Sequence, residues 1–385
     1  MTNSKIFSRD FILNFFAQFT FSSAFFILIP TIPIYLLGFE AKGAEIGFLV
    51  GVLSISSLIL RPFVGRALLK IPERKFMMVG AILYFVSSIA YLLAPPFLPF
   101  LIVRILQGVG LSFFSTASFT LIANITPEIN RGRIISFYYM SINFAFALAP
   151  YFGMLLINRF DFTVLFLVCT GLSLSSLFTT IKLKEVKGVP LENQSIQRQS
   201  FLSREALPSS IMAFMLNVIW GTLSAFFPLY ALKYGVSNPG IFFAFLAVTL
   251  ILGRALGGRI LDIYDREKVI IPCLITVTMA IVILTFSTNL AMFILVAVIL
   301  GSGWALLYPC LFIYAIDDSG SARGPAMATF TALADLGTGI GPMVMGIILQ
   351  WSSYPIMFFF LSLIGVINLL YFYGTLGKGV RPLVR

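Results

Sequence analysis

Arg61-Pro-Phe-Val-Gly65-Arg66-Ala-Leu-Leu69-Lys-Ile-Pro72-Glu-Arg-Lys75 is answered 193 residues later by Arg254-Ala-Leu-Gly-Gly258-Arg259-Ile-Leu-Asp262-Ile-Tyr-Asp265-Arg-Glu-Lys268, in a chain of 385 residues. In each copy an apolar run ends in arginine, Gly-Arg follows one helical turn on, and a short charged turn leads into another apolar run. Three more echoes lie in order along the chain: Pro33-Ile-Tyr35 with Pro228-Leu-Tyr230, Gly108-Val-Gly110 with Gly301-Ser-Gly303, and Ala149-Pro150 with Gly341-Pro342, at offsets of 192 to 195. Self-similarity at half the chain length marks a duplicated architecture, and in a strongly apolar chain it marks a membrane protein built from two related halves.

Composition agrees. Hydrophobic residues make up 59% of the chain and charged residues 11%, with mean hydropathy +1.00, where a soluble domain carries roughly 25% charged residues. The apolar runs fall at about 11–37, 46–66, 76–94, 97–124, 134–158, 162–181, 206–232, 241–261, 269–287, 290–316, 326–350 and 355–375. Each is near or above the roughly 20 residues that cross a hydrocarbon core of about 30 Å, so twelve crossings are expected.

The net charge of +11 raises the question of a nucleic-acid partner, and the placement of the charges answers it. The amino end, the loops after crossings 2, 4, 6, 8 and 10, and the tail hold 20 of the 26 lysines and arginines; the opposite loops hold only Lys42, Arg159 and Lys233. The positive-inside rule then predicts a multi-pass protein of the plasma (inner) membrane with both termini cytoplasmic, and no nucleic-acid partner. The first apolar run is longer than a signal-peptide core and is read as a retained helix.

Cys169, Cys273 and Cys310 sit in separate spans and the chain has no histidine, so neither a disulfide framework nor a Cys/His metal site is expected. There is no phosphate-cradling Gly-x4-Gly-Lys-Ser/Thr loop. The expectation is a protein that is not an enzyme and takes no cofactor. The polar interval 182–205 divides the chain into 1–181 and 206–385 and reads as a solvated cytoplasmic linker, with a regulatory role as the other reading.

At these residues the chain resembles the major facilitator superfamily. That family's loop signature after helix 2, Gly-x-x-x-Asp-Arg/Lys-x-Gly-Arg-Arg/Lys, falls on Gly65 to Lys75, and its weaker copy on Gly258 to Lys268; Arg-x-x-Gln-Gly of helix 4 is Arg104-Ile-Leu-Gln107-Gly108. Leu69 replaces the acidic residue of the first loop and Pro72 its second glycine, while the second copy keeps Asp262 but has Asp265 for its glycine. The resemblance implies an all-α membrane fold of twelve transmembrane helices in two pseudo-symmetric six-helix bundles. It also implies secondary transport by alternating access, with Gly65, Arg66, Arg74, Gly258, Arg259, Asp262 and Asp265 in cytoplasmic gating loops. Independently of the family, basic side chains there suit the cytoplasmic headgroups and cap helix carboxyl ends.

Two charges inside spans ask for partners, because an unpaired guanidinium in hydrocarbon costs several kcal/mol unless it snorkels. Arg61 and Arg254 lie about a turn inside their spans, and Asp335 is the only carboxylate well inside any span. The resemblance implies that helix 2 packs on 11 and helix 5 on 8, which yields an expected Arg61/Asp335 ion pair mirrored by an Arg254/Asn143 hydrogen bond. Two roles stand for Asp335: a proton-coupling carboxylate whose neutralisation strands Arg61, or a permanent interface pin.

Arg104 is the third arginine within a span. In proton-coupled exporters of the family an arginine at this motif position is associated with proton transfer; the alternatives are a bond to Gln107, helix 1 carbonyls or Gln18, or an anionic substrate group. The other expected pathway residues are Asn14 and Gln18 on helix 1, Asn217 and Trp220 on helix 7, and Trp304 and Tyr308 on helix 10, with Gln107 beside Arg104. Gly341-Pro342 and Ala149-Pro150 read either as pliant joints, typical in helix 5 of the family's exporters, or as plain close packing. The expected function is proton-coupled export of a small amphipathic or lipophilic compound by a monomer in the lipid bilayer. A carrier for a specific metabolite such as a sugar or organic acid is the second reading, and a non-transporting receptor or scaffold the third.

Overall fold

The computed structural model describes residues 8–68, 70–94, 97–126, 131–185, 203–263, 266–317 and 323–375. They form thirteen helices and no strand: α1 (Arg9–Phe26), α2 (Leu28–Leu37), α3 (Gly43–Ala67), α4 (Glu73–Leu93), α5 (Leu98–Ile125), α6 (Arg131–Arg159), α7 (Phe162–Ile181), α8 (Leu207–Lys233), α9 (Gly240–Ile263), α10 (Arg266–Phe286), α11 (Leu290–Asp317), α12 (Arg323–Gln350) and α13 (Tyr354–Thr375). Joined end to end, α1 and α2 make the first of twelve spans long and apolar enough to cross a membrane, and α3 to α13 make the rest. The expected first run, 11–37, is thus one crossing interrupted at Ile27. Pro30 lacks the N–H that would bond the Phe26 carbonyl, and Pro33 lacks the next on that side, so the ladder breaks there. The Thr31 hydroxyl donates to the Ile27 carbonyl one turn earlier, at 2.9 Å.

Helix starts follow the sequence. Ser8 accepts from the Phe11 N–H at 3.1 Å, Asp161 from Val164 at 2.9 Å and Asn289 from Met292 at 3.0 Å, each filling an orphan donor of a first turn. Serines and threonines within the spans turn their hydroxyls back to carbonyls one turn earlier, as Ser87 does to Leu83 and Thr222 to Val218, both at 2.8 Å. That local bond lets hydroxyls lie in an apolar environment at little cost.

The chain divides into two compact units, residues 1–40 with 52–194, and residues 41–51 with 195–385. In the first, α4 packs on α5 and α7, and α1 on α6 and α7; in the second, α10 packs on α11 and α13, and α8 on α12 and α13. These are the same contacts displaced by six crossings. The echo extends to side chains. Tyr35 sits among Phe100, Phe162 and Phe166, with ring centroids 4.9 to 5.8 Å away. Tyr230 sits among Phe293, Tyr354 and Phe358 at 5.1 to 5.6 Å.

Backbones meet where glycines recur. A Cβ on Gly80 would lie 2.6 Å from the Phe114 nitrogen, and one on Gly303 2.9 Å from the Cys273 carbonyl oxygen, so α4 on α5 and α10 on α11 touch main chain to main chain. Around the first of these crossings Phe21 stacks on Phe114 at 3.9 Å, in a core completed by Ala17, Met77, Ala81, Tyr84 and Ala117.

Candidate functional site

In the first unit the helix α5 motif splits its duties by helical face. Gly108 lies against α3, where a Cβ would come within 2.4 Å of the Leu53 carbonyl oxygen. Arg104 and Gln107, one turn apart, are buried. Among the partners expected for Arg104 is Gln107, and the two are bonded: Nη1 donates to Gln107 Oε1 at 2.9 Å, and the Tyr91 hydroxyl of α4 donates to the same oxygen at 2.6 Å. A guanidinium 6% exposed is held by a neutral amide that is itself positioned by a tyrosine.

A second polar group joins α1, α5 and α6. Asn14 Nδ2 donates to the Ser118 carbonyl at 3.1 Å, Ser118 Oγ donates to Asn14 Oδ1 at 2.8 Å, and Ser118 Oγ also touches the Tyr138 hydroxyl. Tyr138 donates to Gln18 Oε1 at 2.8 Å and Gln18 Nε2 to Ser22 Oγ at 2.7 Å. All five side chains are buried. Asn14 and Gln18, expected along a pathway, are therefore brought into one hydrogen-bonded group, each amide donating one bond and accepting one within it. Sequence reading passed over Ser118, Tyr138 and Tyr91; both tyrosines lie near the ends of their spans, where a tyrosine is ordinarily an interfacial residue and gives no signal of a buried bond.

In the second unit Trp220 of α8 and Trp304 of α11 meet edge to face at 6.4 Å, and Trp220 also meets Phe243 at 6.3 Å. Both indoles are half-buried. Asn217, one turn before Trp220, donates to the Ala213 carbonyl at 2.8 Å and accepts from the Thr338 hydroxyl at 3.3 Å. Tyr308, one turn beyond Trp304 and also half-buried, packs on Phe330 at 5.4 Å. The structure thus gathers Asn217, Trp220 and Trp304 along facing stretches of α8 and α11, a broad aromatic surface with a bonded amide at its edge.

The charges of the loops and span ends are distributed as follows. Arg61 and Asn143, both half-buried, belong to the first unit; Asp335, half-buried, and Arg254, exposed, belong to the second. Arg74 donates to the Ile181 carbonyl and so caps the carboxyl end of α7, the role expected for a basic side chain in that loop. Gly65 and Arg66 are exposed. Gly258, Arg259 and Asp262 lie on the last turns of α9, their side chains outside the described residues, and Asp265 lies outside them altogether. One residue the motif comparison missed is Glu73. It opens α4, is 2% exposed, and accepts from Asn124 Nδ2 of α5 at 2.6 Å. Its signal was present in the sequence, an acid directly after Pro72 where a first helical turn favours negative charge.

Comparison with known proteins follows the same lines. The family model described as Major Facilitator Superfamily matches residues 15–324 and 240–383. The chain is 22% identical over 364 residues to the staphylopine export protein of Staphylococcus aureus, covering 90% of this chain and 91% of that one. It is 24% identical over 348 residues to multidrug resistance protein 2 of Bacillus subtilis, covering 86% and 87%. Among solved structures, the nucleoside transporter NupG superposes with a TM-score of 0.79 at 13% identity, over 95% of this chain and 99% of that one. Twelve membrane-length spans, two units with repeated internal contacts and a family match over most of its length place this chain among the multi-pass membrane transporters of the Major Facilitator Superfamily.

Proposed function

We propose that the protein exports a small amphipathic or lipophilic compound across the plasma membrane by alternating access, as a monomer with both termini cytoplasmic, driven by entering protons. The observation that carries this reading is the half-buried aromatic surface of Trp220, Trp304 and Tyr308, edged by a neutral amide. Such a surface recognises area and π-electron density rather than a fixed hydrogen-bonding pattern, which suits a lipophilic or amphipathic ligand. The relatives named for staphylopine export and multidrug resistance support the direction. Asp335 serves as the coupling carboxylate, because a carboxyl group half-buried within a span changes its interactions most on gaining a proton.

Intrinsic fluorescence tests the site. The chain has three tryptophans, and Trp351 is 84% exposed. Titrating the purified protein with lipophilic cations, sugars and organic acids is expected to quench emission with the lipophilic class. The quench should disappear in the Trp220→Phe, Trp304→Phe double variant. Saturable quenching that survives in that variant sinks the assignment.

Arg104 supports a second reading, a carrier for an anionic metabolite, since a guanidinium buried within a span is a group an anionic substrate would recognise. That reading predicts that organic acids, not lipophilic cations, protect the protein against heat, and that Arg104→Gln removes the protection.

A further inference from the structure

Two fully buried polar groups of the first unit lack a protein partner among the described residues. Gln107 spends Oε1 on Arg104 and Tyr91, while its Nε2, with two N–H groups to give, meets no acceptor. The second is the Tyr84 hydroxyl, which makes no hydrogen bond. Both side chains are 0% exposed. Turning the Gln107 amide over gives no relief, because Nε2 would then face the guanidinium of Arg104, which only donates.

The two groups belong to one place. Tyr84 and Tyr91 stand two turns apart on α4 and so share a face, and Arg104 and Gln107 answer them from α5. The electrostatic neighbours of Tyr84 are Tyr91, Arg104, Gln107 and Cys169 of α7, and Tyr91 shares Arg104 and Cys169 with it. The Tyr84 ring lies against Phe21 of α1 at 4.5 Å, and Cys169 turns its Sγ to the Ala24 carbonyl at 4.0 Å. Residues of α1, α4, α5 and α7 therefore close round the pair. One turn before Tyr84, a Cβ on Gly110 would lie 3.0 Å from the Gly80 carbonyl oxygen, so the two helices are in main-chain contact just beside it.

We propose that this place is a binding site for a buried water, which accepts from Gln107 Nε2 and bonds the Tyr84 hydroxyl, so that α4 and α5 are bridged through it. The chemistry of the two groups selects the occupant. An amide N–H needs an acceptor, a phenol takes either role, and water serves both while bringing no charge into an apolar interior. A dry interior there would leave both groups at their full desolvation cost. The water would also complete the bonding of the amide that Arg104 leans on, and it serves that purpose whichever compound the protein carries.

Two measurements on the full chain in detergent test it. X-ray radiolysis turns bound water into hydroxyl radicals where it stands, so a side chain buried beside a water is oxidised and one in a dry interior is spared. Tyr84 and Tyr91 are expected to be oxidised well above Tyr230, which is equally buried but whose hydroxyl donates to the Ser287 carbonyl at 2.7 Å. Oxidation no higher than that of Tyr230 would overturn the proposal. Thermal unfolding supplies a sign. Tyr84→Phe removes a bridged hydroxyl, so the unfolding temperature is expected to fall by about 2 °C. Tyr91→Phe, which loses a hydroxyl bonded to Gln107, calibrates the fall. Were the Tyr84 hydroxyl dry, its removal would relieve an unmet group, and an unfolding temperature that holds or rises in Tyr84→Phe overturns the proposal as well. Phenylalanine keeps the ring against Phe21, so the comparison is made between folded proteins.

Discussion

Gln107 accepts two hydrogen bonds on a single oxygen, from Arg104 and from Tyr91, and so helps to hold a buried guanidinium. Hydrogen bonds to charged groups contribute about 1.5–3 kcal/mol, and a donor left bare in an apolar setting costs its desolvation besides. Gln107→Leu is therefore expected to lower stability by about 2–3 kcal/mol, whereas Gln107→Glu supplies a carboxylate to the same donors and keeps the fold; thermal unfolding in detergent reads the difference. The chain from Asn14 to Ser22 admits a similar count. With Gln18 Oε1 toward Tyr138, three oxygen-to-oxygen contacts share two hydroxyl protons, so one contact holds none. With the amide turned over, Ser22 donates to Oε1 and Nε2 donates to Tyr138, and every contact holds one. Tyr138→Phe interrupts either direction and should cost about 1–2 kcal/mol by the same measurement. Of these groups Arg104, Gln107, Asn14 and Gln18 were legible in the sequence, because charges and amides are conspicuous inside apolar runs. Ser118 and Tyr138 were not, because a serine that back-bonds its own helix and one that bridges two helices look alike in one dimension.

At the scale of elements the tightest packing is between the first turns of α3 and the later turns of α12, both within the second unit. A Cβ on Gly47 would lie 2.0 Å from the Pro342 carbonyl oxygen, one on Gly51 2.1 Å from that of Gly339, and one on Gly43 2.8 Å from that of Gly346. Three successive turns of α3 therefore ride directly on α12 main chain, and α8 adds Gly221 against the Thr338 carbonyl from another side. Gly47→Ala forces the helices apart and is expected to lower the unfolding temperature. Gly171, inside α7 with nothing within 4 Å of its would-be Cβ, gives the opposite sign: Gly171→Ala should be neutral or stabilising by up to about 1 kcal/mol. The glycine-rich run of α12 stood out in the sequence as a packing surface. Its partners did not, since small residues announce closeness without naming what comes close.

At the scale of the molecule the duplication was the most legible feature, because it needs only the chain compared with itself. The Arg61 and Arg254 loops, the Tyr35 and Tyr230 aromatic corners and the paired helix contacts repeat one plan. Interruption of the first crossing at Ile27 was less legible, since Pro30 and Pro33 are tolerated in membrane helices as often as they break them. Where the two halves differ is where transport chemistry is sought: the first holds a buried cation and a bonded chain of neutral polar groups, the second an aromatic surface and the one carboxylate well inside a span. Proton coupling through Asp335 is the central claim, and the most direct measurement is the pH inside proteoliposomes holding the wild type or Asp335→Asn, with lipophilic compounds added outside. A proton flux triggered by the lipophilic compound is expected in the wild type and is lost in Asp335→Asn, with compound binding by tryptophan quenching retained. Compound movement with no proton flux, or a flux undiminished in Asp335→Asn, would contradict it.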